Sequence, residues 1–303
     1  MRVLLTGATG FLGSRMLSLL GEHDVLCLSR DPDRLPRRHG LNSITADLGK
    51  SGDWLGEISR FRPDWCLHLA WEGLPDYSLE RCRVNLDASI RLLDAVSRSG
   101  VKRVVVAGTC WEYGNASGAV AEDDPPLAVD VFAATKEALL RLLASIARVR
   151  GFEYRWARIF FVYGPGQRSM SLIPHLHSAY AAGQEPDIRE PEAVQDFVHV
   201  DDVAAALMTL AATAAPSGVF NVGSGQPTKV GQIANRVADY YGKKRPFLAP
   251  REGRGYWADV SKIHSLTGWR GRIGLEEGID RTLAALNGEL RIDSVGFQPG
   301  DRE

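Results

Sequence analysis

The sequence predicts an α/β protein built on a doubly wound parallel sheet, and three features of its 303 residues support this fold class. Short apolar runs of strand length alternate with amphipathic stretches of helix length, as in β-α-β units. A glycine-rich turn directly follows the first apolar run. The chain, 45% hydrophobic, is also long enough to bury a sizeable core. We therefore expect one large α/β domain with a smaller lobe beside it.

The predicted strands are apolar runs without strict alternation, which is typical of strands buried on both faces. They cover residues 2–5, 24–28, 43–46, 64–69, 103–107 and 154–160. Long helices are predicted over residues 78–99 and 131–148. In the first of them, Leu86, Leu93 and Val96 recur at helical spacing and would form one buried face.

The turn after the first strand has the pattern of a phosphate-binding site. It reads Gly7-Ala8-Thr9-Gly10-Phe11-Leu12-Gly13 and opens a helix. Glycines here permit a tight turn and let backbone N–H groups approach a pyrophosphate, while the helix N-terminus adds partial positive charge. The spacing is G-x-x-G-x-x-G, not the more common G-x-G-x-x-G. This context predicts a Rossmann-type dinucleotide site formed by Gly7, Thr9, Gly10, Phe11, Leu12 and Gly13.

The ends of the next two strands bear on which dinucleotide binds. The second strand closes with Ser29 and Arg30, where an NAD enzyme usually has an acid. Serine and arginine suit a phosphate, so this end, with the basic loop over residues 34–39, favours NADP over NAD. The alternative is that the arginines are solvated and Asp31 contacts the ribose of NAD. Asp47, followed by Leu48, is placed to meet the adenine amino group or to cap a helix.

The charge balance and the cysteine content limit the kinds of partner that we expect this protein to bind. With 36 basic and 37 acidic residues, the net charge of -1 gives no field for binding nucleic acid or an anionic membrane. The four cysteines share no CxxC spacing, and we expect reduced thiols and no metal site. The first residues run straight into a strand, and no apolar run approaches membrane-spanning length, so we expect a cytoplasmic protein.

The strand and helix alternation loosens after Gly164. We predict a dinucleotide-binding domain over residues 1–168 and a mainly substrate-binding lobe over residues 169–290. Returns of that second part to the sheet are left open. Residues 291–303 are polar and are expected to form a loose tail.

Several ordered motifs give the chain a family resemblance. Beyond residues 6–13 they are His68-Leu69-Ala70, Gly108-Thr109-Cys110-Trp111-Glu112-Tyr113-Gly114, Phe161-Val162-Tyr163-Gly164-Pro165-Gly166, Asp196-Phe197-Val198-His199-Val200-Asp201-Asp202 and Arg251-Glu252-Gly253. In these motifs the chain resembles the extended short-chain dehydrogenase/reductase family, in particular its NAD(P)-dependent nucleotide-sugar epimerases, dehydratases and ketoreductases. The resemblance runs nearly end to end. It adds Leu69 and Ala70 to the expected cofactor contacts.

In that family a Ser or Thr, a Tyr and a Lys carry out hydride-coupled proton transfer at a sugar carbonyl. The resemblance makes Thr109 the hydroxyl residue and Lys136 the residue that holds the nicotinamide ribose. The tyrosine position is Phe132. A phenylalanine keeps the ring but cannot exchange a proton, so a general acid–base contribution of about a hundred- to ten-thousandfold is expected to be missing while binding survives. Three accounts remain open: a substitution that traps a substrate complex, a natural variant with another acid such as water, and a member that binds without catalysing.

The motif after Thr109 separates the family's reactions. Its 4,6-dehydratases place an Asp-Glu pair there, whereas this chain has Cys110 and Trp111, which argues against dehydration and leaves carbonyl–alcohol chemistry. Arg251 matches the family's diphosphate-binding arginine. Gln195 and Phe161 replace a second arginine and an asparagine of the family pattern, which puts the standard galactose epimerase substrate in doubt. Trp71 is a candidate wall of the substrate pocket, as are Cys110 and Trp111.

The resemblance and the NADP preference together favour an NADPH-dependent 4-ketoreductase acting on a nucleotide-diphosphate sugar. One alternative is a nucleotide-sugar 4-epimerase with tightly bound NAD. Another is a non-catalytic NAD(P)-binding sensor or scaffold. Family members commonly dimerise through a four-helix bundle of the two long helices, so a homodimer is expected.

Overall fold

A computed structural model describes residues 1–247 and 253–289. Arg251 and the predicted tail over 291–303 therefore lie outside the described residues. The strands are β1 (Arg2–Thr6), β2 (Asp24–Ser29), β3 (Leu41–Thr45), β4 (Trp65–His68), β5 (Arg103–Ala107), β6 (Gly118–Val120), β7 (Glu153–Ile159), β8 (Phe161–Tyr163), β9 (Ala193–His199), β10 (Gly218–Val222), β11 (Pro227–Lys229) and β12 (Arg254–Ala258). The helices are α1 (Phe11–Leu19), α2 (Trp54–Phe61), α3 (Leu79–Arg98), α4 (Val131–Arg150), α5 (Leu172–Ala181), α6 (Val200–Ala212), α7 (Val230–Tyr240), α8 (Ser261–Thr267) and α9 (Leu275–Leu286).

The main sheet is parallel, with seven strands in the described part of the chain in the order β10-β7-β5-β4-β1-β2-β3. This confirms the predicted fold class. Strand order reverses beside β1, where β2 lies on one side and β4 on the other. Ligands of open α/β sheets bind at the carboxyl ends of strands flanking such a reversal. The sheet therefore positions a site at the ends of β1, β2 and β4.

Helices cover both faces of this sheet, as its apolar strands require. Apolar side chains of α1 and α6 pack on one face, and those of α2, α3 and α4 pack on the other. The two long helices begin at side-chain caps. Ser78 Oγ accepts a hydrogen bond from the backbone N–H of Arg81 at 3.3 Å, and Asp130 Oδ1 accepts one from that of Ala133 at 2.8 Å. No helix among the described residues is long and apolar enough to cross a membrane.

A second, smaller sheet lies in the later part of the chain. Its strands run in the order β11-β9-β12-β6, and β8 pairs with β9. Helices α5, α7 and α9 form a separate apolar cluster around Ile233 and Leu283. The chain also goes back to the main sheet, because β10 pairs with β7 and α6 packs against α1. The elements after β8, and helix α2, were not predicted in detail from the sequence.

Candidate functional site

The glycine-rich turn joins β1 to α1 beneath the loop that follows β4. Gly7 has φ of +76°, and a Cβ there would lie 2.8 Å from the backbone nitrogen of Ala70. A Cβ at Gly13 would lie 2.0 Å from the carbonyl oxygen of Gly7. Gly10 caps α1 without any side chain, so the first N–H groups of the helix face open space. This backbone cradle fits a pyrophosphate, because only glycines let the chain approach so closely.

A cavity of about 220 Å³ opens from this turn along the ends of β1 to β4. It brings together most of the predicted cofactor contacts, namely Gly7, Thr9, Gly10, Ser29, Arg30, Asp47, Leu48, Leu69 and Ala70, together with Trp71. Phe11, Leu12 and Gly13 form the adjoining first turn of α1. Residues drawn from four separate strand ends thus meet in one cavity with the shape and backbone donors that a dinucleotide needs.

The predicted phosphate contact at Arg30 has an acidic neighbour. Arg30 Nη1 lies 2.7 Å from Glu72 Oε2, and Arg30 remains 66% exposed. Glu72 also pairs with Arg81 at 2.5 Å. Arg38, predicted to join the basic cluster, instead donates to the backbone carbonyls of Gly21 and Leu20 at the end of α1. Arg38 is therefore engaged at the end of α1 and not at Arg30.

Asp47 lies at the cavity and also makes a local turn. Its Oδ1 accepts a hydrogen bond from the backbone N–H of Gly49 at 3.0 Å, and its Oδ2 lies 3.3 Å from Lys50 Nζ. Asp47 is also one of the residues that line the cavity. Both readings of Asp47, as an adenine contact and as a local cap, are compatible with this position.

His68 ties the cavity floor to α3. Its Nδ1 lies 2.8 Å from Thr6 Oγ1, and its Nε2 lies 2.9 Å from Ser89 Oγ. Burial lowers the pKa of His68 to about 3, so the ring is neutral near pH 7. A neutral imidazole between two hydroxyls fixes the end of β4, and with it Leu69 and Ala70.

Lys136 lies on α4, one turn after Phe132, and is almost fully buried. Its Nζ donates to the carbonyl oxygen of Ala107 at 2.8 Å and lies 3.9 Å from the centre of the Trp71 ring. Burial lowers the pKa of the Lys136 ammonium from its usual 10.5 to about 7. The remaining N–H positions of Lys136 are the donors that a ribose hydroxyl would use.

Phe132 lies inside a group of rings that we call the aromatic cluster: Trp71, Tyr77, Trp111 and Phe132. Ring centres of the other three lie 5.4, 5.1 and 5.7 Å from that of Phe132, respectively. Tyr77 also contacts Trp111, with ring centres 5.0 Å apart. Trp71 Nε1 is buried and has no hydrogen-bond partner among the described residues. The phenylalanine is thus well packed, and the surrounding rings come from the loop between β4 and α3 and from the 3₁₀ helix over residues 110–113.

Thr109 ends the loop after β5 and caps the short 3₁₀ helix over residues 110–113. Its Oγ1 accepts a hydrogen bond from the backbone N–H of Trp111 at 3.3 Å. Its own N–H donates to Glu112 Oε1 at 3.0 Å. This reciprocal capping holds Thr109 in one position at the carboxyl end of the sheet, close to Lys136 on the neighbouring helix.

Glu112 points into the core and away from the cleft. Its carboxylate accepts hydrogen bonds from Trp156 Nε1 at 2.9 Å and Arg158 Nε at 2.7 Å, and both charged side chains are almost completely buried. Cys110 is buried too, and burial raises the pKa of its thiol to about 12. Neither Glu112 nor Cys110 is therefore available to exchange protons with a substrate.

The remaining predicted substrate residues are spread over the second sheet. Phe161 starts β8, with its ring 5.9 Å from that of Phe197, and packs against the apolar cluster that contains Cys110. Gln195 lies in β9 opposite Thr228 and is half-buried. Arg251 lies outside the described residues, so the diphosphate contact stays a prediction. No group of three or more potential metal-ligating side chains occurs within residues 1–247 and 253–289.

Tyr77 and Glu72 were not predicted from the sequence. Both lie in the loop between β4 and α3, directly after the predicted contacts Leu69, Ala70 and Trp71. Their position could have been inferred, because this loop leaves the carboxyl end of the strand beside the order reversal. Which side chains of this loop face the site could not be inferred from the sequence.

Known proteins share this architecture and these motifs. The model of the NAD dependent epimerase/dehydratase family matches residues 3–223. A UDP-glucuronate 4-epimerase of Thermodesulfobacterium geofontis is 31% identical over 232 residues, which cover 72% of this chain and 70% of that protein. A dTDP-4-dehydro-6-deoxyglucose reductase of Escherichia coli is 24% identical over 309 residues, covering 94% and 97% of the two chains.

A solved structure of MoeE5 in complex with UDP-glucuronic acid and NAD superposes with a TM-score of 0.83 at 33% identity, covering 96% of this chain and all of that one. The epimerase, the reductase and MoeE5 thus span both reaction types considered for this chain. Because the family model matches well over half of the sequence, the chain belongs to the NAD-dependent epimerase/dehydratase family of nucleotide-sugar enzymes, in the extended short-chain dehydrogenase/reductase group.

Proposed function

We propose that this protein reduces a nucleotide-linked 4-keto-6-deoxy sugar at C4 with NADPH. The observation that carries the proposal is the phenylalanine at position 132, one turn before Lys136, where the family has a tyrosine that exchanges a proton. The Glu112 carboxylate, in the 3₁₀ helix that Thr109 caps, is enclosed by Trp156 and Arg158.

A missing acid–base group slows both directions of carbonyl–alcohol chemistry by the same factor, because they share one transition state. A 4-epimerase must begin by oxidising an alcohol, with the hydroxyl proton removed as hydride leaves. A ketoreductase begins from the ketone and NADPH, which lie above the alcohol and NADP⁺ in free energy. With the same raised barrier, the reaction that starts from the ketone therefore stays the faster of the two.

The chain's own residues account for binding and orientation. The glycine turn and the first turn of α1 would hold the pyrophosphate, and Lys136 would hold the nicotinamide ribose. Thr109, fixed by its capping contacts, would donate a hydrogen bond to the carbonyl oxygen of the sugar. The bound cofactor supplies the hydride. Ser29 and Arg30 at the end of β2 support NADPH as the reductant, with Arg30 shared between Glu72 and the extra phosphate.

The substrate assignment follows from residue types. Trp111, Phe132 and Phe161 are apolar at positions where the family pattern has polar groups. A deoxysugar methyl group suits apolar side chains better than a hydroxyl or a carboxylate does. In this proposal the lobe over residues 169–290 clamps the nucleotide diphosphate, with Arg251 on the phosphates.

A 4-epimerase that retains NAD is the second candidate. It is favoured by the identity of 31% to a UDP-glucuronate 4-epimerase and 33% to MoeE5, which was solved with UDP-glucuronic acid and NAD. An epimerase of this kind would purify with bound cofactor and interconvert two sugars without added NADPH. A non-catalytic sensor would bind dinucleotide and consume none.

We also propose a homodimer formed by α3 and α4. These helices pack against each other, and Leu79, Leu142 and Val149 on them are exposed. A second copy would cover such side chains in a four-helix bundle. Analytical ultracentrifugation of the protein and of Leu142→Glu tests this, and a monomer in both samples would contradict it.

Turnover of NADPH tests the proposed function. The purified protein is mixed with NADPH and a nucleotide-linked 4-keto-6-deoxyhexose, and the reverse reaction is run with the alcohol product and NADP⁺. We expect ketone reduction by the unchanged chain and little net oxidation of the alcohol, because the equilibrium favours the alcohol. Phe132→Tyr adds a phenol at the position of the family tyrosine, so it should raise reduction and oxidation by the same factor. The proposal fails if both proteins bind NADPH and the sugar and neither consumes NADPH.

A further inference from the structure

Reduction at this site needs a proton donor near the sugar carbonyl, and Phe132 cannot be that donor. Four other acidic groups in this part of the fold are engaged elsewhere. Glu112 and Cys110 are buried and point into the core. The hydroxyl of Tyr113 donates to Asn221 Oδ1 at 2.7 Å, and that of Tyr256 donates to the carbonyl oxygen of Cys110 at 3.1 Å. These four groups are committed to other contacts.

Tyr77 differs from them in position and in bonding. Its ring lies against both Phe132 and Trp111, so it belongs to the same aromatic cluster as the position that lacks the phenol. The side chain is half-buried, and its hydroxyl makes no hydrogen bond within residues 1–247 and 253–289. Tyr77 therefore places a phenol beside position 132, and the hydroxyl of this phenol donates no hydrogen bond to the described residues.

The loop that carries Tyr77 is held in place from both sides. On one side, the backbone N–H of Glu72 donates to Asn85 Oδ1 at 2.7 Å, and the Glu72 carboxylate pairs with Arg81 on α3. On the other side, Ser78 N–H donates to Asp76 Oδ1 at 2.9 Å directly before α3 begins. Such anchoring holds the Tyr77 ring against Phe132 and Trp111, and a fixed position is what a proton donor requires.

We propose that Tyr77 supplies the proton that position 132 no longer can, which makes it a catalytic residue for the reduction. This inference rests on the proposed function. In the step, the carbonyl carbon gains a hydride from reduced nicotinamide and the carbonyl oxygen gains the proton of Tyr77 Oη. The phenol O–H bond breaks, a C–H and an O–H bond form, and the Tyr77 phenolate regains a proton from water through its exposed side.

The test replaces Tyr77 by phenylalanine in two backgrounds, the unchanged chain and Phe132→Tyr, and measures single-turnover reduction of the keto sugar by NADPH. Tyr154→Phe, at a half-buried tyrosine on β7, is the matched control. Affinity for the nucleotide sugar and for NADPH is measured on every variant by calorimetry.

In the unchanged chain we expect Tyr77→Phe to slow reduction by about a hundredfold or more, with both affinities retained. With Phe132→Tyr present, the phenol at position 132 can supply the proton, so Tyr77→Phe should have little effect on the rate of reduction. An equal loss in both backgrounds would assign Tyr77 a packing role and overturn the inference. So would an unchanged chain that is inactive while Phe132→Tyr reduces the ketone, although the proposed function would then stand. Inactivity of both would overturn the proposed function and the inference together.

Discussion

Replacing Lys136 with methionine should stabilise the protein at neutral pH. The Lys136 side chain is buried, and burial lowers the pKa of its ammonium from 10.5 to about 7. Each tenfold change in proton affinity is worth about 1.4 kcal/mol, so holding this group in the fold costs at most about 5 kcal/mol. Methionine fills a similar volume without the charge. It leaves the Ala107 carbonyl without its donor, which costs about 1 to 3 kcal/mol. We expect a net gain of about 2 to 4 kcal/mol in the free energy of unfolding at pH 7.

The pH dependence distinguishes this cause from simple repacking. Between about pH 7 and pH 10.5 the unfolded chain holds a proton on Lys136 that the folded chain lacks, so the unchanged protein gains stability as pH rises. The advantage of Lys136→Met should therefore be full below about pH 7 and shrink steadily toward pH 10. Urea unfolding at several pH values, without cofactor, measures it. Lys102→Met, at a lysine whose side chain is 69% exposed, is the control. An advantage that stays constant from pH 6 to pH 10 would refute the reasoning.

Three further substitutions test other parts of the site. Gly13→Ala places a Cβ against the Gly7 carbonyl oxygen, so calorimetry should find dinucleotide binding lost or greatly weakened, and unchanged affinity would contradict the cradle. Arg158→Met leaves the Glu112 carboxylate buried without its partner and should lower the free energy of unfolding by about 3 to 5 kcal/mol, measured in urea; a cost under about 1 kcal/mol would show that the pair is not needed. Arg30→Ala should weaken NADPH binding about tenfold or more while NADH binding changes little, and an equal loss for both would count against a phosphate contact.

Much of the main sheet could be predicted from the sequence because its strands are apolar along their whole length. The predicted strand over residues 103–107 coincides with β5, and the predicted helix over residues 78–99 differs from α3 by one residue at each end. The glycine turn could be predicted equally well, since backbone geometry dictates its residue types. The second sheet was not predicted, because β6, β8 and β11 are only three residues long and show no periodicity.

The candidate site was predictable where backbone dictates it and not where side chains meet across the fold. The positions of Thr109 and Lys136 follow from motifs. The pairing of Arg30 with Glu72 joins residues 42 apart, and the contact of Tyr77 with Phe132 joins a loop to the first turn of α4. Such contacts depend on the direction in which a loop leaves its strand, which residue type alone does not encode.

The return of the chain to the main sheet has a consequence during synthesis on the ribosome. Strand β7 ends at Ile159, but β10, which covers its open edge, ends at Val222. At usual translation rates this interval takes roughly 3 to 13 s. For that time β7 presents unpaired backbone groups to neighbouring nascent chains, a recognised route to aggregation. Slowing elongation between these strands should therefore reduce the yield of folded protein more than slowing it after Val222.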